Sequence, residues 1–182
     1  MGLIDEMLGK QDGEGKEKEK PAVTEEILLE GNVIQLVSFM LCEMEYGVDI
    51  LAVHEILRYP EITRLPNSPQ FIKGVINLRG NIIPVVDMRK WFGFPPGEVT
   101  ELTRIIVIET SDRQVGLLVD NVYQVVRISE NNVDPPKEMI DGISEEFIKG
   151  IGRLGDRLII ILNLENILFE KHEIKAGEAK AQ

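Results

Sequence analysis

Few residues of this chain are of a type that does covalent chemistry. Among 182 residues there is one cysteine, Cys42, and there are two histidines, His54 and His172. A structural zinc site needs four cysteine or histidine ligands at close spacing, and a reactive thiol needs a base or a cationic setting to form its thiolate. Cys42 is followed by the acidic Glu43, and neither histidine lies in a motif with a nucleophile or a second metal ligand. No serine occupies a G-x-S-x-G elbow, and Gly93 and Gly97 flank Pro95-Pro96 without forming a phosphate cradle. The expectation is therefore no catalytic site, no metal and no cofactor. Arg79 is of interest for recognition instead. A Gly80-Asn81 turn needs no arginine beside it, so the guanidinium is free to fork onto a carboxylate, the alternative being a solvated turn residue. Pro84 cannot donate to a ladder and marks an edge or a bulge, a place where a partner can approach.

The elements that would position Arg79 are written twice. Ser68-Pro69-Gln70-Phe71-Ile72-Lys73-Gly74 returns as Ser144-Glu145-Glu146-Phe147-Ile148-Lys149-Gly150, an offset of 147 − 71 = 76. Each copy is followed by an apolar stretch, a Gly-Asn or Gly-Asp turn and a second apolar stretch, which is the pattern of a hairpin. Upstream, Leu36 to Leu41 and Tyr46 to Ile50 flank Glu43-Met44-Glu45 as another hairpin, and Val115 to Val119 is the matching strand of the second unit. Val53, Ile56 and Leu57, then Val122, Val125 and Val126, have spacings that predict short helical turns ending at Arg58 and Arg127. Those apolar residues either belong to the core or line a groove; the pattern is the same for both. Ser68 and Ser144 are placed to cap one helical turn each, with Gly74 and Gly150 as C-terminal glycines. Only the first copy carries Leu78-Arg79-Gly80 and Pro84. Many short strands with glycine turns point to small barrels or sandwiches, and a cleft between two of them is the place to expect a binding site.

Composition narrows the class of partner. A net charge of −11 repels a phosphate backbone, no basic stripe with interleaved aromatics is present, and nucleic acid is not an expected partner. The longest apolar runs have strand length, and no signal-peptide pattern opens the chain, so a soluble, cytoplasmic protein without membrane insertion is expected. Residues 1–32 read as a disordered leader rich in Lys, Glu and Gly, in which Leu3, Ile4, Met7 and Leu8 share one helical face as a docking motif or a frayed terminus. Residues 33–169 form the ordered part, divided into units of about 33–98 and 99–169, and 170–182 is a polar tail.

Five strings, taken in order, resemble the CheW family of bacterial chemotaxis coupling proteins. They are Gln35-Leu36-Val37-Ser38-Phe39; Tyr46-Gly47-Val48-Asp49-Ile50; Val53-x-Glu55-Ile56; Gly74-Val75-Ile76-Asn77-Leu78-Arg79-Gly80-x-Ile82-Ile83-Pro84-Val85-Val86-Asp87; and Val115-Gly116-Leu117-Leu118-Val119-Asp120-x-Val122. The resemblance implies a mainly β fold of two tandem SH3-like five-stranded barrels. It implies a non-enzymatic adaptor that couples chemoreceptors to the histidine kinase CheA, through that kinase's regulatory domain and the receptor's cytoplasmic hairpin tip. The protein would be recruited to membrane-associated receptor arrays. The positions matching the family's receptor groove are Val37, Ile50, Val53, Ile56 and Val122, with Arg79 beside them. A related adaptor of a non-flagellar pathway fits the same strings, and a tandem-barrel RNA- or ribosome-associated protein is the rival from another class.

Overall fold

The computed structural model describes residues 32–110, 113–136, 139–140 and 142–169. The leader apart from Asn32, the tail and His172 lie outside them. The first half of the described chain holds β1 (Val33–Leu41), β2 (Met44–Asp49), β3 (Val53–Arg58), β4 (Ile72–Leu78), β5 (Asn81–Asp87) and the short helix α1 (Met88–Trp91). The second holds β6 (Arg104–Glu109), β7 (Gln114–Val119), β8 (Asn121–Ser129), β9 (Val133–Asp134), β10 (Met139–Ile140), β11 (Ile143–Ser144), β12 (Ile148–Leu154), β13 (Arg157–Leu162) and α2 (Leu164–Phe169). Single 3-10 turns occur at Ile50–Ala52, Glu130–Asn132 and Glu145–Phe147.

The strands make two principal sheets, in the orders β3-β6-β7-β5-β4 and β8-β1-β2-β13-β12-β9, so the mainly β, two-barrel layout expected from the sequence is present. Each sheet curls back on itself. Beyond β3, the Thr63 N–H donates to the Val75 carbonyl at 2.9 Å and the Val75 N–H to the Thr63 carbonyl at 2.8 Å, joining the end of one edge strand to the other edge. In the second sheet β8 passes through a 3-10 turn into β9, which pairs with β12 at Ile151↔Asp134. Val75 and Ile151 are repeat equivalents, 151 − 75 = 76, so the two sheets curl back at the same place.

The barrels are not the contiguous halves 33–98 and 99–169. β5 runs parallel to β7 at Val85↔Gly116, and β13 runs parallel to β2 at Ile161↔Gly47, again at equivalent positions in the two copies. One barrel therefore combines β3, β4 and β5 with β6 and β7; the other combines β1 and β2 with the later strands. The chain crosses between them at Ile50–Ala52 and at Asp120. A boundary drawn by sequence proximity misses this, because a repeat offset carries no information on which copy supplies a neighbouring strand.

The largest apolar cluster lies between the sheets and takes Val37, Phe39, Tyr46 and Val48 from one, and Val86, Ile106, Ile108, Leu117 and Val119 from the other. Smaller clusters around Ile83, Val85 and Ile105, and around Leu36, Ile128 and Ile159, fill the individual barrels. Trp91 stands edge-on to two repeat-equivalent rings, Phe71 at 4.7 Å and Phe147 at 6.0 Å between centroids.

Several local expectations are revised. Residues 53–58 and 121–129 are strands: their apolar residues pack on clusters from both sheets, and pairing with β6 and β1 overrides a helical spacing only six residues long. No helix follows Ser68, whose hydroxyl donates to the Leu65 carbonyl at 2.9 Å, and Ser144 precedes a 3-10 turn without a side-chain cap. Gly74 and Gly150 lie inside β4 and β12 at matching bulges, between Ile72/Gly74 and Ile148/Gly150. A Cβ on Gly74 would come within 2.2 Å of the Thr63 carbonyl oxygen, so the barrel closure itself requires the glycine. Pro84 is not at an edge, since β5 lies between β7 and β4; it sits just before the β5–β7 ladder, which begins at Val85.

Candidate functional site

The β4–β5 turn is Arg79-Gly80, closed by the Leu78↔Asn81 pair, one residue earlier than the glycine-asparagine pattern indicated. Both turn residues have positive φ, 51° for Arg79 and 88° for Gly80, as a two-residue hairpin of right-handed twist requires. Asn77 Oδ1 accepts from the Gly80 N–H at 2.9 Å and holds the turn. A left-handed arginine is strained relative to glycine at the same φ. The Arg79 side chain is 70% exposed and forks onto Glu55 of β3, Nη1 to Oε1 at 2.8 Å and Nη2 to Oε2 at 3.2 Å. The carboxylate that this arginine grips is thus one of its own chain. That hydrogen bond, more than the burial that opposes it, holds the Glu55 carboxyl below the ordinary glutamate value of 4.5. The fork is complete above that value and is lost as pH falls through the lowered one.

β3 is an edge strand with a bulge. Val53 pairs with Ile108 and Glu55 with Val107, leaving His54 as the extra residue. His54 Nδ1 lies 2.8 Å from Glu109 Oε2, and its Nε2 lies 3.8 Å from Glu55 Oε1. Further along β3, Ile56 is 40% exposed. Ile50 and Val53 are half-buried and rest on the inter-sheet cluster, as does Val122 of β8. Val37 is a member of that cluster and only 2% exposed. The structure thus brings Val37, Ile50, Val53 and Val122 to one apolar layer, leaves Ile56 exposed on β3, and ties Glu55 of β3 to Arg79 of the neighbouring turn. In the sequence His54 has no partner within its own motif, Glu55 stands in a family string without a role and Glu109 carries no signal, because neither bulge nor cross-strand ion pair has a local signature.

Other features flank this strip. An open cleft of about 740 Å³ lies next to the Ile50–Ala52 turn, lined by Leu51, Ala52, Leu36 and Leu164 with Glu109 and Glu130 at its polar side; none of the six residues chosen from the sequence lines it. Where the chain crosses at Asp120, Arg89 donates to that carboxylate through Nε at 2.7 Å and to the Pro95 carbonyl at 3.0 Å, while Asp120 also accepts the Cys42 N–H at 2.8 Å. Glu45, nearly buried, pairs with Arg157, whose guanidinium lies 5.2 Å from the Tyr123 ring centre. Among the described residues no helix is long and apolar enough to cross a membrane, and no group of three or more acidic, histidine or cysteine side chains is arranged to hold a metal.

Residues 35–171 match the family profile described as a CheW-like domain. The chain is 40% identical over 130 residues to the chemotaxis protein CheW of Klebsiella aerogenes, covering 71% of this chain and 78% of that one. It is 37% identical over 146 residues to the chemotaxis protein CheW of Thermotoga maritima, covering 79% and 92%. Among solved structures it is similar to the scaffolding protein TtCheW from Thermoanaerobacter tengcongensis, with a TM-score of 0.69 and 41% identity over 74% of this chain and 86% of that one.

Proposed function

Because the chain belongs to the CheW-like family, whose members are adaptors and not enzymes, we propose that its β3 edge and the adjoining turn are where it meets a chemoreceptor. The chain is a scaffold of chemotaxis signalling that couples receptors to the histidine kinase CheA. The occupant of the strip is the cytoplasmic hairpin tip of the receptor, seated on Ile56 and the half-buried Ile50, Val53 and Val122, with Val37 supporting them from the core. Arg79 is the polar end of the contact. It is held ready by Glu55 and can exchange that carboxylate for one on the receptor. The other contact is with the regulatory domain of CheA, and the adaptor works in the cytoplasm at membrane-associated receptor arrays.

The observation that carries this reading is the combination at one accessible edge of an exposed apolar side chain, Ile56, and a left-handed, exposed arginine, Arg79. A strip of this size makes a weak contact, and tight coupling then comes from many such contacts in one array. Co-sedimentation with a receptor cytoplasmic fragment and CheA tests it. Ile56→Asp should keep the wild-type circular dichroism and lose receptor binding about ten-fold or more, since a charge enters a surface that the partner desolvates. Arg79→Ala should also keep the fold and weaken receptor coupling while CheA binding is retained. Unchanged receptor binding in both folded variants would move the contact elsewhere. A variant at Val53 is less informative, because Val53 also rests on the core.

A further inference from the structure

His54 stands at the bulge of β3 and nothing in the receptor reading uses it. A bulge places two consecutive side chains toward the same side, and here it turns His54 toward the carboxylate of its own neighbour, Glu55. The ring then lies between two carboxylates. Nδ1 faces Glu109 at 2.8 Å and Nε2 faces Glu55 at 3.8 Å, on the same Oε1 atom that accepts the Arg79 Nη1 bond. We infer that His54 is a positioning residue for Arg79, setting by its protonation how firmly Glu55 holds that arginine and so how readily Arg79 engages a carboxylate of the receptor.

While the ring is neutral, with Nδ1 2.8 Å from Glu109 and Nε2 3.8 Å from Glu55, both Glu55 oxygens are left to Arg79. A proton on Nε2 creates a second cation directed at Glu55 Oε1. That oxygen is then shared, the positive ring repels the guanidinium, and the fork is left with its longer leg, Nη2 to Oε2. An imidazole makes this change of charge within the physiological range, which a carboxylate or a guanidinium does not. The other charged groups along the same edge are Arg58 on β3, Arg104 and Glu109 on β6, Arg79 on the turn and Asp49 before the 3-10 turn. Asp49 is occupied by the Leu51 N–H and Arg104 by the carbonyls of Glu101 and Thr103, so the Glu109-His54-Glu55-Arg79 row is the continuous one. The inference rests on Arg79 acting at the receptor contact, but the coupling within the row can be read without any partner.

The test has two arms on the full chain, wild type and His54→Gln, which keeps a polar side chain without the charge. In the first, the Arg79 Nε–Hε resonance is followed between pH 5.5 and 8 beside the His54 ring resonances. The expected result is that the arginine signal moves in step with the ring in wild type and stays fixed in His54→Gln. In the second, binding of a receptor cytoplasmic fragment should tighten by about two- to three-fold from pH 8 to pH 6 in wild type, the size of effect that exposed ion pairs produce, and should lose that dependence in His54→Gln. An Arg79 resonance that ignores the ring, or an identical pH dependence in the variant, overturns the inference. Absence of receptor binding at every pH, with the resonances still moving together, removes the receptor reading and leaves the coupling standing.

Discussion

At Arg79 backbone strain stands against the recognition role proposed for its side chain. Its φ of 51° belongs to the region that glycine occupies freely, and its repeat counterpart, at 79 + 76 = 155, is Gly155 with φ 61°. Arg79→Gly should therefore raise the melting temperature by about 2–4 °C in differential scanning calorimetry while weakening receptor coupling. A variant that loses stability instead would show that the fork to Glu55 outweighs the strain. That no arginine is required to close this hairpin was legible in the sequence, since the second copy closes its own with Gly155-Asp156; that Arg79 is itself a turn residue was not. Nor was the identity of its partner, because Glu55 is 24 residues away on a strand that pairs elsewhere. Ile56 shows the same limit: its apolar character was evident, but its 40% exposure follows from the position of β3 at the sheet edge.

At the scale of elements, the short stretches after β2 and β7 were the hardest to read. Six residues at helical spacing also satisfy a strand with one bulge, and only the pairing of β3 with β6 and of β8 with β1 decides between them. The hairpins were easier, because each carries its own turn. The twin glycines are not the helix ends expected from the sequence but places where the strand opposite each barrel seam approaches. Their surroundings differ enough to rank them. Gly74→Ala meets a backbone oxygen at 2.2 Å and should cost about 2–4 kcal/mol in urea unfolding. Gly150→Ala meets Val133 Cγ1 at 2.6 Å, a side-chain atom that can swing aside, and the Asp134 carbonyl oxygen only at 3.0 Å, and should cost about 1–2 kcal/mol. The reverse order would mean that the seam at Thr63 opens more easily than its two hydrogen bonds suggest.

For the whole molecule, the exchange of strands joins two repeat copies into one cooperative unit. Fragments 33–98 and 99–169 each lack strands that complete a barrel, so each should remain unfolded alone, with two-dimensional NMR spectra of narrow amide dispersion. In the intact chain, fluorescence of Trp91, the sole tryptophan, should report the same urea midpoint as circular dichroism, because its ring is clamped by both copies. Separate midpoints would show that the barrels unfold independently. The repeat itself was plain in the sequence; which copy lends strands to which barrel was not, because it depends on parallel contacts between residues 31 and 114 positions apart. The crossings at Ile50–Ala52 and Asp120 have a mechanical meaning as well. Two bodies joined by one linker can pivot, whereas two that each grip a strand pair of the other have no free hinge. A displacement imposed on one barrel must then tilt the two together, so that the described fold behaves as a stiff lever of fixed length.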